Sequence, residues 1–331
     1  MNMTGVRQIA IRERPRILAY VALAIALLLL LCAPLFFSPY KLFQFASVAV
    51  AAIAIFGLNI LTGYTGQMSI GHGAFYAIGA YAAAILITKE ICPYWLAVFF
   101  AAAVCFIVGL LFGLPVLRLQ GHYLALATFA LGVTVPQIIQ YRGFESYTGG
   151  FQGLLLEKPP VPFGLPLTQD QWLYFFCVGI AVGVFVVGRN ILRGQVGRRL
   201  VAVRDNPTAA IAMGINPTVI KSFSFALSAM FTGLAGALSA VLVQFVSPDG
   251  FGFLLSITLL VGVIVGGIAS LSGAFYGALF VTFVPNIAAS ISKALPWAIF
   301  GFLIVASMYV APNGAAGLVG AMWKSFCKRF P

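Results

Sequence analysis

Apolar residues run along this chain in long blocks, and the polar residues fall mostly in the short stretches between them. A helix needs about 20 apolar residues to cross the hydrocarbon core of a bilayer. There each backbone N–H and C=O must be satisfied within its own segment, which makes the α-helix the spanning form. Ten candidate spans follow, at 17–37, 42–61, 68–88, 93–117, 122–141, 171–190, 217–245, 253–268, 272–291 and 296–311. The third, eighth and ninth are rich in glycine and polar residues, which makes them candidates for broken or re-entrant segments. The pattern predicts an all-α fold, a polytopic transmembrane helical bundle forming one domain over 1–331.

Composition agrees. Of 331 residues 62% are hydrophobic and 8% charged, against roughly 25% charged in a soluble domain. Such a chain cannot cover itself with polar surface. Its net charge of +12 raises the question of nucleic acid, and the placement of that charge answers it. With the N-terminus in the cytoplasm, Lys41, Lys89, Arg142, Lys158 and Lys293 fall outside and every other Lys and Arg falls inside. Glu90, Glu145, Glu157, Asp170 and Asp249 lean the other way. The excess is therefore a topology signal, with both termini cytoplasmic and no nucleic-acid role. The basic start "MNMTGVRQIAIRERPR" precedes an apolar run from Ile17 to Phe37. A signal peptide has an apolar core of about 7–15 residues, so an uncleaved first span is expected. Cys32, Cys92, Cys105, Cys177 and Cys327 are odd in number and show no disulfide or metal spacing.

Two loops are long. Residues 142–170 lie outside, rich in Gly and Pro, and read as an irregular periplasmic surface loop. Residues 191–216 lie inside and contain "RDNPTAAIAMGINP". Asn206 is a good N-cap, because its side-chain oxygen can accept from an orphan N–H. Pro207 suits the first helical position, where no donor is needed. Thr208 to Met213 supply the turns and Gly214 can close them in the left-handed conformation. The product is a helix on the order of 10 Å long. Its small apolar face can lie in a groove on another protein, with Arg198, Arg199 and Arg204 nearby for acidic groups. On the residues alone the plainer reading is an ordinary capped helix, its arginines serving topology.

The segment "NILTGYTGQMSIGHG" gathers Asn59, Thr62, Tyr64, Gln67, Ser69 and His72 among glycines. Polar groups at membrane depth face a bundle interior or a cavity, so these six are candidate linings of a translocation path on a broken helix. A cytoplasmic turn at the interface fits the same residues equally well. His72 and His122 lack a carboxylate or cysteine at metal or triad spacing, which favours buried, hydrogen-bonded histidines. Gly109/Gly113, Gly179/Gly183, Gly262/Gly266 and Gly273/Gly277 are spaced for close helix packing. "GAFY" recurs at 73–76 and 273–276, a repeat too short to carry weight alone. The spans hold no run of Asp, Glu or Lys for an ion relay, and there is no phosphate-binding Walker A pattern. The chain reads as a passive conduit, not an enzyme, with no cofactor bound by it and ATP hydrolysed elsewhere.

"GRRLVAVRDNPTAAIAMGINPTVIKSFSFALSAMFTGLAGAL" resembles the coupling-helix region of the LivM-type permeases of branched-chain amino-acid ABC transporters. So do "GLNILTGYTGQMSIGHGAFYAIGAYAAAIL", "GLPVLRLQGHYLALATFALG" and "VGGIASLSGAFYGAL", in order along most of the chain. Thr208 stands where the family often has an acidic residue, and Phe151–Gln152 departs from the small polar pair expected in the outer Gly-rich block. The resemblance implies a type II ABC importer-like permease of about ten spans in the bacterial inner membrane. Its partners would be a second, LivH-like permease subunit, two cytoplasmic ABC ATPases and a periplasmic substrate-binding protein. The cargo would be leucine, isoleucine or valine; urea, short amides or other amino acids are carried by sister permeases. An ion-coupled secondary transporter is the reading outside this class. Arg204, Asp205, Asn206, Thr208, Ala209, Ala210 and Gly214 would couple to the ATPase.

Overall fold

The computed structural model describes residues 34, 36–116, 122–162, 166–291, 296–312 and 314–329. Most of the expected first span, 17–37, lies outside the described residues, as does the side chain of His122. The helices are α1 (Pro39–Asn59), α2 (His72–Thr88), α3 (Tyr94–Val116), α4 (His122–Ile139) and the short α5 (Glu145–Thr148). There follow α6 (Gln169–Arg193), α7 (Gln195–Asp205), α8 (Pro207–Ala212) and α9 (Pro217–Val243). The chain continues as α10 (Phe253–Gly266), α11 (Leu271–Ile291), α12 (Pro296–Val310) and α13 (Gly314–Arg329). The only strands among the described residues are β1 (Leu154–Leu155) and β2 (Phe245–Val246).

Helix α9 is the axis of the bundle. It packs against α1, α2 and α3, while α11 joins α10 to α1 and α6 covers the outer side of α1. Lipid supplies little hydrophobic drive between helices, so small residues that let backbones approach carry the association. A Cβ at Gly79 of α2 would fall on the Gly233 carbonyl of α9, and one at Gly236 of α9 on the Tyr76 carbonyl. Gly109 meets Ala229 and Ala226 of α9. Gly262 and Gly266 of α10 oppose Gly277 and Gly273 of α11 backbone to backbone. The Gly179/Gly183 pair is different: neither has an atom within 4 Å of a Cβ position, because both face outward on α6. Spacing identifies a common helix face and cannot tell which neighbour, if any, that face meets.

Among the described residues six helices are long and apolar enough to cross a bilayer, or up to eight if each of two bent pairs counts as one span. Helix α2 is shorter than the expected 68–88, at 17 residues, because Gly66–Gly71 is irregular. Both long loops carry more structure than expected. In 142–170, β1 pairs antiparallel with β2, Leu154 opposite Val246 and Leu155 opposite Phe245. Lys158 also pairs with Asp170 in the first turn of α6 at 2.7 Å, so this loop is tied to the end of α9 by its strand and to the start of α6 by its lysine. In 191–216 the short helix is preceded by another, α7, which buries Gly197, Leu200 and Val203 and exposes Arg198 and Arg199. Its 11 residues are amphipathic, and their many arginines concealed the apolar side.

Candidate functional site

Helix α8 forms where its caps place it. The Asn206 side-chain oxygen accepts from the Ala209 N–H at 3.0 Å, and Pro207 occupies the first position. At the far end Gly214 takes φ +77°. Its N–H donates to Ile211 O at 2.9 Å, and the Ile215 N–H reaches Ala210 O at 3.0 Å. That pair of bonds satisfies the last carbonyls of a helix closed by a left-handed residue. Ala210 is buried against the protein, whereas Thr208, Ala209, Ile211 and Ala212 are exposed.

Between α7 and α8 runs an open groove of about 550 Å³. Arg198, Arg199 and Asp205 line it together with the apolar Ala202, Ala210 and Ile215. Arg204 is not among the groove residues. Its guanidinium turns inward, Nη1 donating to Gly63 O at 2.9 Å and Nε to Asp205 Oδ1 at 2.9 Å. Its stem passes 3.0 Å from the Cβ position of Gly66, which has φ +69°. Gly63 lies in the π-helical turn Ile60–Tyr64 that extends α1. Carbonyls at a helix C-terminus lack internal partners and attract cations. Arg204 therefore ties the hairpin of α7 and α8 to the end of α1. All three arginines expected near a partner are exposed, and Arg204 is in addition bonded to Gly63 O within the chain.

The polar segment 59–73 is a bend held from all sides. Asn59 Nδ2 donates to Ser270 O at 2.8 Å, and its Oδ1 accepts from the Ala269 N–H at 2.9 Å. Both ends of its amide thus clamp the turn between α10 and α11. Thr65 Oγ1 donates to Leu61 O at 2.6 Å and accepts from Gln67 Nε2 at 3.3 Å. Thr62 Oγ1 and Gln67 Oε1 are buried with no hydrogen-bond partner among the described residues. Tyr64 is half-buried.

His72 is fully buried at the start of α2. Its Nδ1 lies 2.7 Å from Ser69 Oγ and its Nε2 2.7 Å from Ser228 Oγ. Ser228 gives its own proton to Gly57 O at 2.6 Å, so it must accept from His72 Nε2–H. The proton is thus on Nε2, and Nδ1 shares its hydrogen bond with the Ser69 hydroxyl. Phe75 and Phe225 meet its ring edgewise. This is the buried, hydrogen-bonded histidine expected from the residues, with both ring nitrogens engaged. Hydroxyls on three other helices complete the bend: Thr128 Oγ1 accepts from the Ile70 N–H at 3.2 Å, Ser256 Oγ from the Gly73 N–H at 2.9 Å, and Ser224 lies 3.5 Å from Thr65. Sequence reasoning missed Thr128, Ser224, Ser228 and Ser256. Their signal was faint: single hydroxyls inside otherwise apolar spans, where an unpaired polar group is costly.

Residues 41–312 match the family model described as the permease component of the branched-chain amino acid transport system. The high-affinity branched-chain amino acid transport system permease protein LivM of Salmonella typhimurium is 34% identical over 238 residues, which cover 65% of this chain and 55% of that protein. The chain thus spans about half the length of that relative. The high-affinity branched-chain amino acid transport system permease protein BraD of Pseudomonas aeruginosa is 25% identical over 286 residues, 81% of this chain and 91% of BraD. Among solved structures, PsaBC from Streptococcus pneumoniae in complex with Fab has a TM-score of 0.47 at 13% identity, over 86% of this chain and 96% of that one.

Proposed function

Because the chain belongs to the family of branched-chain amino acid transport permease components, we propose that it forms one half of the membrane passage of an ATP-driven importer for leucine, isoleucine and valine. Its place is the bacterial inner membrane, with about ten crossings and both termini in the cytoplasm. A LivH-like permease forms the other half, two cytoplasmic ABC ATPases supply the work, and a periplasmic binding protein delivers the cargo. Helix α8, with Asn206, Thr208, Ala209, Ala210 and Gly214, is the contact for one ATPase. Arg198 and Arg199, on the adjoining groove, suit acidic groups there.

The observation that carries this reading is the 2.9 Å bond from Arg204 to Gly63 O. A push on α8 passes through Asn206 to α7, and from Arg204 to the bend that connects α1 and α2. The bend then moves with Gly63, its Gln67 bonded to Leu61 and Thr65 and its Ser69 to His72, because packed elements switch between discrete arrangements instead of deforming smoothly. The energy comes from the ATPase pair; this chain supplies a transmission and a wall.

The test is reconstitution with the ATPases and the binding protein in vesicles, followed by uptake of labelled leucine. Arg204→Ala removes a hydrogen bond from a charged donor, worth about 1.5–3 kcal/mol. Uptake per ATP hydrolysed should fall by about tenfold or more, with the complex still assembled. Unchanged coupling in this variant would remove the transmission route. Wild-type complexes that take up no branched-chain amino acid would remove the cargo assignment.

A further inference from the structure

The irregular stretch Gly66–Gly71 runs from Gly66, beside the Arg204 stem, to His72 at membrane depth. Ser224 and Ser228, to which Thr65 and His72 are bonded, sit about 10 and 16 Å along α9, a helix some 40 Å long. The hydrocarbon core is about 30 Å thick, so with α9 centred in the bilayer the His72 end of the stretch falls within it. The polar side chains of the stretch point inward, and Gln67, Ser69 and His72 are at most 5% exposed. Met68 points the other way and is 66% exposed. Among the described residues neither its N–H nor its carbonyl has a hydrogen-bond partner. Backbone of this kind cannot face lipid, where nothing would satisfy it; it must line a water-filled cavity or be covered by protein.

We infer that Met68 projects into the water-accessible translocation path and makes apolar contact with the cargo side chain. The inward polar residues hold the bend, and Met68 is what the bend presents. An unbranched thioether side chain adapts to apolar surfaces of different shape, which suits branched aliphatic side chains of unequal outline. The identity of the cargo rests on the proposed function above; the access of water to residue 68 does not.

The test uses the assembled importer in vesicles with Met68→Cys, probed by a charged, membrane-impermeant methanethiosulfonate reagent. Modification is read by mass spectrometry on the peptide containing residue 68, so the native cysteines stay in place. The control is Leu111→Cys on α3: Leu111 is 65% exposed, and its neighbours Gly109 and Gly113 face Ala226, Ala229 and Phe225 of α9, the same level. Reaction needs a hydrated thiolate, so residue 68 should react at least about tenfold faster than residue 111. Saturating leucine with the binding protein should slow it further. Equal rates at 68 and 111 would overturn the inference. Fast reaction indifferent to leucine would overturn the cargo contact. Met68→Ala and Met68→Phe, which leave the buried bonds of the bend untouched, should shift the leucine-to-valine uptake ratio in opposite directions; an unshifted ratio also counts against contact. A wild-type complex that ignores branched-chain amino acids sinks the earlier reading and leaves the comparison of 68 with 111 standing.

Discussion

At the scale of single residues, glycine is decisive where a backbone occupies the space of a side chain. Gly79 meets the Gly233 carbonyl of α9 directly, whereas Gly179 on α6 meets nothing. Gly79→Ala should lower the melting temperature of the purified protein measurably, by an overpacking cost of about 1–3 kcal/mol. Gly179→Ala should leave it unchanged or raise it, since alanine in an unstrained helix gains roughly 0.5–1 kcal/mol over glycine. Equal effects at the two sites would contradict the close crossing of α2 and α9. His72 makes the complementary case with polarity. Replacement by alanine removes both bonds to the Ser69 and Ser228 hydroxyls and leaves a void between Phe75 and Phe225. A loss of about 1–3 kcal/mol is expected from the orphaned groups, read as an earlier melting transition at unchanged helix content.

At the scale of elements, the telling pair is α8 and the bend. A six-residue helix has no stability of its own, because nucleation consumes more order than so few bonds return. It exists through its caps. Asn206→Ala should cost about 1 kcal/mol and Gly214→Ala about 1–2 kcal/mol, since φ +77° is strained for any residue with a Cβ. Both positions are exposed, so the amount of folded protein in the membrane should hardly change. The expected deficit is in uptake per ATP hydrolysed by the assembled complex. Normal coupling in both variants would argue that α8 is an ordinary surface turn. The bend shows the opposite economy: one short irregular segment is fixed by hydroxyls from α4, α9 and α10 and by the clamp of Asn59. Several elements must be in place before it takes shape.

At the scale of the whole molecule, the helices arrange the loops in two groups. The arginine-bearing α7 and α8 meet the C-terminal end of α1 and the N-terminal end of α9, while 142–170 is bound to the opposite end of α9 through β1 and β2. A cysteine in place of Phe151, which is 73% exposed, should react with an impermeant reagent from outside intact cells. A cysteine in place of Met213, 81% exposed, should react in inside-out vesicles. The reverse pattern would invert the orientation and remove α8 from the ATPase side.

Composition and block length were enough to establish a helical membrane protein, because burial in hydrocarbon is a demand on each segment by itself. Capping chemistry located α8 to within a residue for a similar reason: Asn206, Pro207 and Gly214 act on neighbours within a few positions. The bend at 59–73 was visible as a polar, glycine-rich interruption, but its orientation was not. Only the folded arrangement could turn Asn59, Gln67 and His72 inward and Met68 outward, since that choice depends on Ser228 and Ser270, some 156 and 211 residues away along the chain. The same holds for Arg204, whose partner Gly63 is 141 residues distant. Local rules decide which segments form; contacts between remote segments decide which of their faces remain free to act.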